Sequence, residues 1–295
     1  FSNLGRLYRI KAYEIPEGSR TSKGLNIVNI LPLMPEEKII NILPLDNKID
    51  LDNPFYVCMI TKNGTIKRTS IEAFKNVRKT GIIAINIDED DELAYVCRTS
   101  GEDELVVATK KGFAIKFNET QAREMGRTAR GVRAIRLREG DEVVGMAVSA
   151  DNKALLTVTE TGYGRVSLFD DYRLQSRGGK GLMNYRTEKY GKVAATIPVG
   201  DNDDIIMIAS NGIVIRIFTG DISTFSRPAK GVRVMRTTNA NGESVRKILS
   251  VGMAEHDETE VNDAPEAPDA DAAEVSPEDV NEPDTENEVT TENEE

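Results

Sequence analysis

Tryptophan is absent from this sequence of 295 residues, and histidine and cysteine are scarce: His256, Cys58 and Cys97 are the only ones. A single histidine excludes a histidine-based catalytic triad or metal cluster from the body of the chain. The two cysteines lie far apart and lack the spacing of metal ligands, so no metal site is predicted. Such sparse use of cysteine fits a reduced, cytoplasmic compartment.

Long apolar runs are also missing. No segment approaches the roughly 20 apolar residues that cross a bilayer, and no secretory signal opens the chain, so no membrane partner is predicted. The first residues, F-S-N-L-G-R-L-Y-R-I, have instead the pattern of a strand pair. We therefore expect the chain to be a piece of a longer protein.

The net charge of -11 is the average of two very different parts. From Glu255 to the end there are 18 Asp or Glu and no Lys or Arg, whereas residues 1–254 contain 38 Lys or Arg and 31 Asp or Glu. A basic body with an acidic tail predicts a protein that binds a polyanion and carries a competitor for it. The tail, 255–295, has almost no large apolar residues and is predicted to be disordered.

Two glycines recur along the body with a period close to fifty residues. The first lies in a polar turn between two apolar runs, at Gly5, Gly64, Gly112, Gly162 and Gly212. The second follows 17 to 19 residues later, at Gly24, Gly81, Gly131, Gly181 and Gly231. Each unit has the pattern of a hairpin and two further strands. The sequence thus predicts an all-β, propeller-like domain over 1–254, with five four-stranded units that start near 1, 55, 104, 153 and 204.

Basic residues recur at equivalent places in these units. Four of the five second glycines end the motif R-x-x-[KR]-G, and a further base lies three or four residues after each first glycine. On a ring, these bases would form a curved track for DNA phosphates. The predicted DNA contacts are Arg9, Arg20, Lys23, Arg68, Arg78, Lys79, Lys116, Arg127, Arg130, Arg165, Arg177, Lys180, Arg216, Arg227 and Lys230.

The residues around the arginines and lysines indicate which kind of nucleic acid is bound. No helix is predicted that could read a groove, which favours weak sequence dependence and a bendable duplex. No aromatic residues interleave with the bases in the sequence, so stacking on single strands is not expected. The acidic clusters at 88–92 and 139–142 are predicted turns rather than catalytic carboxylates, and no catalytic residue is predicted.

One turn carries a recognisable signature. The heptapeptide Q-S-R-G-G-K-G resembles the gyrase A box, Q-[RK]-R-G-G-[RK]-G, of the family of DNA gyrase A C-terminal domains. Its residues are Gln175, Ser176, Arg177, Gly178, Gly179, Lys180 and Gly181. The segments L-Y-R-I-K-A-Y-E-I-P-E-G and A-R-G-V-R-A-I-R-L-R-E-G-D-E-V-V resemble the same family, and so does the acidic tail.

This resemblance implies a six-bladed β-pinwheel that wraps duplex DNA. It also implies a bacterial, nucleoid-associated enzyme, a type IIA DNA topoisomerase, in which the domain works with the remainder of gyrase A and with gyrase B as an A2B2 complex. That full enzyme uses ATP and magnesium to introduce negative supercoils, whereas this part of it needs no cofactor.

Two departures from the family pattern matter. Ser176 replaces a base, and the box occurs in the fourth of five units rather than in the first of six, so we expect the first blade to lie outside this chain. Two alternatives stay open: the corresponding C-terminal domain of topoisomerase IV, and a non-enzymatic propeller that serves as a scaffold for protein partners.

Overall fold

The computed structural model describes residues 1–19, 22–45, 55–150, 153–239 and 243–256. Within them, seventeen strands form five antiparallel sheets. The predicted all-β, propeller-like fold is confirmed. The predicted tail begins two residues too early, since Glu255 ends a strand and His256 is described; the rest of it, 257–295, and Arg20, one of the predicted DNA contacts, lie outside the described residues.

Four long hairpins form the framework, one for each of the last four units. Their strands are β2 (Tyr56–Thr61) and β3 (Thr65–Ser70), β6 (Glu104–Thr109) and β7 (Phe113–Asn118), β10 (Ala154–Thr159) and β11 (Tyr163–Leu168), and β14 (Asp203–Ala209) and β15 (Val214–Phe218). Each turn contains the first glycine of its unit, with φ between 81° and 86°. A positive φ is readily adopted only by glycine, which explains its recurrence at this point of the hairpin.

The inner strand of each sheet comes from the end of the same unit. These strands are β5 (Leu93–Thr99), β9 (Val143–Val148), β13 (Val193–Val199) and β17 (Ile248–Glu255). Each pairs with the first hairpin strand and shifts register at the end of that strand, as between Val158 and Thr159. The repeated bulge bends these four sheets in the same way.

The outer strand of each sheet is exchanged between units. Two-residue strands follow four of the second glycines: β4 (Ile82–Ile83), β8 (Val132–Arg133), β12 (Leu182–Met183) and β16 (Val232–Arg233). Each pairs with the second hairpin strand of the preceding unit, and β4 pairs with β1 (Arg6–Leu7). In each of the last four units the four predicted strands therefore form, but they belong to two successive sheets; of the first unit, only β1 is among the described strands.

The exchange leaves two complementary edges open at the ends of the series. Within the described residues, β15 receives no outer strand, although β3, β7 and β11 each do. At the other end, the segment after Gly24 pairs with no described strand, and Leu25 and Val28 are exposed.

The sheets surround one axis. Apolar residues of successive sheets pack into shared clusters, and the inner strands contribute to a single cavity of about 550 Å³. All five units line this cavity, through residues such as Ile40, Leu93, Val143, Val193 and Ile248. This arrangement corresponds to the centre of a propeller.

Among the described residues, helical structure is limited to short connections. One four-residue α-helix spans Thr187–Tyr190. The 3-10 turns are Ala12–Glu14, Ile27–Asn29, Ile71–Phe74, Glu119–Gln121, Phe169–Asp171 and Thr219–Asp221. In the part of the chain that the structure describes, no helix has the length and apolar character needed to cross a membrane.

Candidate nucleic-acid interface

The predicted DNA contacts lie mainly on four loops that end at a second glycine. We call residues 75–80, 123–130, 173–180 and 223–230 the basic loops. Three of them bind through the backbone to the hairpin of the preceding unit, by parallel bridges such as Lys116 to Leu174. Each of these loops therefore has a fixed position over the sheet that receives its outer strand.

The second and third basic loops are each also hydrogen-bonded to the segment that follows the preceding loop. Ala129 accepts a hydrogen bond from the amide of Asn86 (3.2 Å), just after the preceding loop. The Gly178 amide donates to Ala134 O (2.6 Å), and Gly179 O accepts from the Arg136 amide (2.8 Å). The loops therefore follow one another as a continuous surface.

This surface is strongly basic. Residues 122–138 contain six arginines and one glutamate, and residues 172–189 contain five bases and one glutamate. Residues 222–239 contain four bases and no acid. Such a concentration of one charge creates an attractive potential for phosphates.

Several predicted contacts are exposed on this surface. They are Arg78, Lys79, Arg130, Lys180 and Lys230. Arg130 forms an exposed ion pair with Asp88 (2.7 Å), which contributes little to stability and can be exchanged for a phosphate. In the first unit Arg9 and Lys23 are also exposed, and an Arg9 nitrogen donates to Lys75 O at 3.3 Å.

Three predicted contacts are instead buried. Arg165 is fully buried, with its guanidinium donating to Ser167 Oγ (3.0 Å) and to Asn184 Oδ1 (2.8 Å). Arg68 lies 3.6 Å from a buried carboxylate oxygen of Glu119, and Lys116 lies 2.6 Å from Glu104. These side chains cannot reach a phosphate in this conformation, and we withdraw them from the interface.

The reason is the position of their strands. β3, β7 and β11 each lie between two other strands of their sheet. A base on such a central strand faces a neighbouring sheet and needs a buried partner. Arg216 occupies the edge strand β15 and is more exposed, yet its Nε donates to Asp204 (2.7 Å), so it too is engaged within its own sheet.

The gyrase-box-like heptapeptide forms the third basic loop. The Gln175 amide donates to Lys116 O (2.8 Å), while Ser176 and Lys180 are exposed. Gly178 and Gly181 have φ of 79° and 73°, which disfavours other residues there. Arg177 is half-buried and donates from Nε to Gln121 O (2.8 Å). Arg127 and Arg227, at the equivalent position of their loops, are half-buried too.

Sequence reasoning missed several exposed bases on the same surface. They are Arg123, Arg133, Arg136, Arg138, Arg173, Arg233 and Arg236. The repeat could have revealed most of those after the second glycine, since Arg133 and Arg233, and likewise Arg136 and Arg236, occupy equivalent positions two units apart.

Aromatic residues also approach several bases of this surface, as Phe113 does Arg138 and Tyr172 does Arg227. The Lys230 Nζ lies 5.2 Å from the centre of the Tyr163 ring, and Arg233 donates to the Tyr163 hydroxyl (2.9 Å). The expectation that no aromatics interleave with the bases therefore fails on this surface.

A buried lysine supports the second basic loop from below. Lys67 is fully buried, and its Nζ donates to Ala84 O (2.6 Å) and to Arg127 O. Desolvation, with a smaller effect of the charge on Arg127, lowers the pKa of Lys67 from 10.5 to about 8. Arg165 occupies the equivalent place in the fourth unit and donates to Ala229 O (3.4 Å) of the fourth basic loop.

The pKa of Lys67 predicts a pH dependence of stability. Above pH 8 the native amine is neutral, while an unfolded lysine stays protonated up to about pH 10.5. The unfolded state then binds more protons, so the free energy of unfolding rises with pH in this window. Urea unfolding at pH 7.5 and 9.5 should show a rise of about 1–2 kcal/mol for the wild type relative to Lys67→Met, in which this titration is absent. Parallel pH profiles of the two proteins would contradict the assignment.

The chain matches one family of known sequences. The sequence model described as "DNA gyrase C-terminal domain, beta-propeller" matches residues 1–46, 56–98, 103–150, 153–199 and 203–251. The A subunit of DNA gyrase from Clostridium acetobutylicum is 47% identical over 133 residues, which are 45% of this chain and 16% of that protein. That of Haloquadratum walsbyi is 46% identical over 135 residues, again 45% of this chain and 16% of that protein. The chain thus matches about a sixth of the length of these curated relatives.

Two solved structures have the same fold. The crystal structure of the C-terminal domain of DNA topoisomerase IV superimposes with a TM-score of 0.76 and 27% identity, covering 86% of this chain and 78% of that one. The structure of a DNA gyrase A C-terminal domain gives a TM-score of 0.68 and 29% identity, covering 85% and 80%.

Proposed function

Because the chain belongs to the family of DNA gyrase C-terminal domains, we propose that it binds double-stranded DNA along its basic loops and wraps the duplex around them. The observation that carries the proposal is the hydrogen-bonded succession of the loops, from Asn86 through Gly179, with exposed bases at each step. Bases spaced along a curved surface can neutralise phosphates on one side of a bent duplex.

The larger role that we propose is that of a module of gyrase A. In this role the chain acts with the remainder of gyrase A and with gyrase B, as an A2B2 complex in the bacterial cytoplasm, near the nucleoid. It holds DNA while the full enzyme introduces negative supercoils. We place the cleavage chemistry, the ATP and the magnesium of that reaction in parts of the enzyme outside this chain.

A domain of topoisomerase IV is the second candidate, since the topoisomerase IV structure gives the higher TM-score, 0.76 against 0.68. The curated relatives favour gyrase, because gyrase A sequences reach 47% identity to this chain. A protein-binding scaffold would not need bases concentrated on the surface of successive loops.

Wrapping is tested by measuring the linking number of circular DNA that is ligated in the presence of the protein. The chain is bound to a nicked circle, the nick is ligated, and the linking number is compared with that of a circle ligated alone. We expect a shift in one direction that grows with the ratio of protein to DNA, because a chiral wrap is trapped by ligation.

A variant with Lys180→Gln and Lys230→Gln serves as the control and should give a smaller shift, since both exposed charges are lost. Retained binding with an unshifted distribution would leave DNA binding in place and exclude chiral wrapping. Absence of duplex binding at low salt would exclude the proposed function altogether.

A further inference from the structure

Two arginines at the same position of the R-x-x-K-G motif make the same pair of contacts. Arg177 donates from Nε to Gln121 O (2.8 Å) and from Nη1 to Arg133 O (2.9 Å). Arg227 donates from Nε to Asp171 O (2.7 Å) and from Nη1 to Met183 O (2.9 Å). Side chains fifty residues apart thus hold equivalent backbone oxygens.

The acceptors belong to two different sheets. Gln121 ends the 3-10 turn that follows β7, in the sheet that receives β12 from the Arg177 loop. Arg133 ends β8, the outer strand of the sheet before it. Asp171 and Met183 have the same two positions relative to Arg227, one unit further along. Each guanidinium therefore links two neighbouring sheets at their outer edges.

Further contacts hold these loops in the same place. The Arg177 amide donates to the side chain of Gln121 (2.8 Å), and the next amide, that of Gly178, donates to Ala134 O. The Arg227 guanidinium lies 5.1 Å from the centre of the Tyr172 ring. By contrast, Lys180 and Lys230, three residues after these arginines, are exposed.

We propose that Arg177 and Arg227 are positioning residues, which set the angle between adjacent sheets and hold the loops so that Lys180 and Lys230 contact the phosphates. The planar fork of arginine suits this task, because it holds its donors in one rigid plane and so directs Nε and Nη1 at two fixed oxygens, which a lysine cannot do. The inference rests on the proposed DNA binding. It gives the arginine of the motif a positioning role and the lysine the contact with phosphate.

The test compares Arg177→Lys with Lys180→Gln in the full chain. Arg177→Lys keeps the charge and removes the fork, whereas Lys180→Gln removes an exposed charge and leaves the fork intact. Without DNA, amide hydrogen exchange at Gly178 and Arg136 should accelerate about tenfold in Arg177→Lys, equivalent to about 1.4 kcal/mol for the lost hydrogen bond, and stay unchanged in Lys180→Gln.

Duplex binding across a salt series gives the second readout. Lys180→Gln should lower the slope of log K against log salt by about 0.9, the value for one phosphate contact. Arg177→Lys should keep a slope close to that of the wild type but bind about tenfold more weakly, since loop geometry is lost and charge is not. Arg227→Lys provides an independent repeat at the next loop, should one variant fold poorly.

The possible outcomes distinguish a failure of the positioning role from a failure of the proposed DNA binding. Unchanged exchange in Arg177→Lys would overturn the positioning role, and so would faster exchange with wild-type affinity for DNA. If the wild type binds no duplex, the proposed function fails, together with the phosphate contacts assigned to Lys180 and Lys230. The exchange measurement then still decides whether Arg177 holds the loop.

Discussion

Duplex binding is expected to weaken about 1,000-fold when the salt concentration rises from 50 to 200 mM. The exposed bases of the four basic loops are numerous enough for about six simultaneous phosphate contacts. Six contacts predict a slope of about -5 in log K against log salt. A titration of a labelled duplex of about 40 base pairs at four salt concentrations measures this slope.

Two variants test whether charge on the protein determines the affinity and the salt slope. A chain that ends at His256 lacks 17 of the 18 acidic residues counted from Glu255 onwards and should bind more tightly, because a competing polyanion has been removed. A variant with Arg130, Lys180 and Lys230 all changed to glutamine should lose nearly three units of slope. Equal affinities at low and high salt would contradict a phosphate-binding surface.

The hairpins and their glycines could be predicted from the sequence because their signals are local. A polar turn with glycine between two apolar runs determines a hairpin almost regardless of the rest of the chain. The recurrence of that pattern near Gly64, Gly112, Gly162 and Gly212 therefore indicated four hairpins and the all-β class, whereas after Gly5 the described strands include only the two-residue β1.

The exchanged outer strands were not visible in the sequence. A two-residue strand such as Val132–Arg133 has no periodicity of its own, and its partner, β3, lies more than sixty residues earlier. Only packing against the preceding hairpin makes it a strand. Assigning four strands to each unit was therefore right in number for the last four units, wrong for the described part of the first, and incomplete in how the strands connect.

The site was predicted at the level of loops and only partly at the level of residues. Charge periodicity identified the loops, since every repeat has bases before its second glycine. Charge periodicity could not distinguish Arg165, which is buried and donates to Ala229 O, from the exposed Lys230, the residue after Ala229. Burial depends on which strand is central in its sheet, and this follows from the exchange between units.

The largest loss of stability is expected for Gly162→Ala, with Gly212→Ala as its matched control. Both glycines occupy the same place in their hairpins, with φ of 86° and 81°. Alanine at such angles costs about 1–2 kcal/mol, and the lower entropy of the unfolded alanine chain offsets part of this. Gly212→Ala should show this cost alone, because no described atom outside its own neighbourhood lies within 4 Å of its added Cβ.

Gly162 has a second constraint that Gly212 lacks. The segment after β16 crosses directly over it, so that Gly162 O accepts the Val234 amide (2.9 Å) and an added Cβ would overlap Met235 O. Because that atom is backbone, relief requires the exchanged strand to move away from β11. We therefore expect Gly162→Ala to destabilise the chain by more than about 4 kcal/mol, measured as a shift of the urea midpoint at unchanged slope. Equal losses of stability in the two variants would mean that the glycine recurs only because of its positive φ. A larger loss in Gly162→Ala would mean that the glycine also leaves room for the outer strand that the next unit contributes.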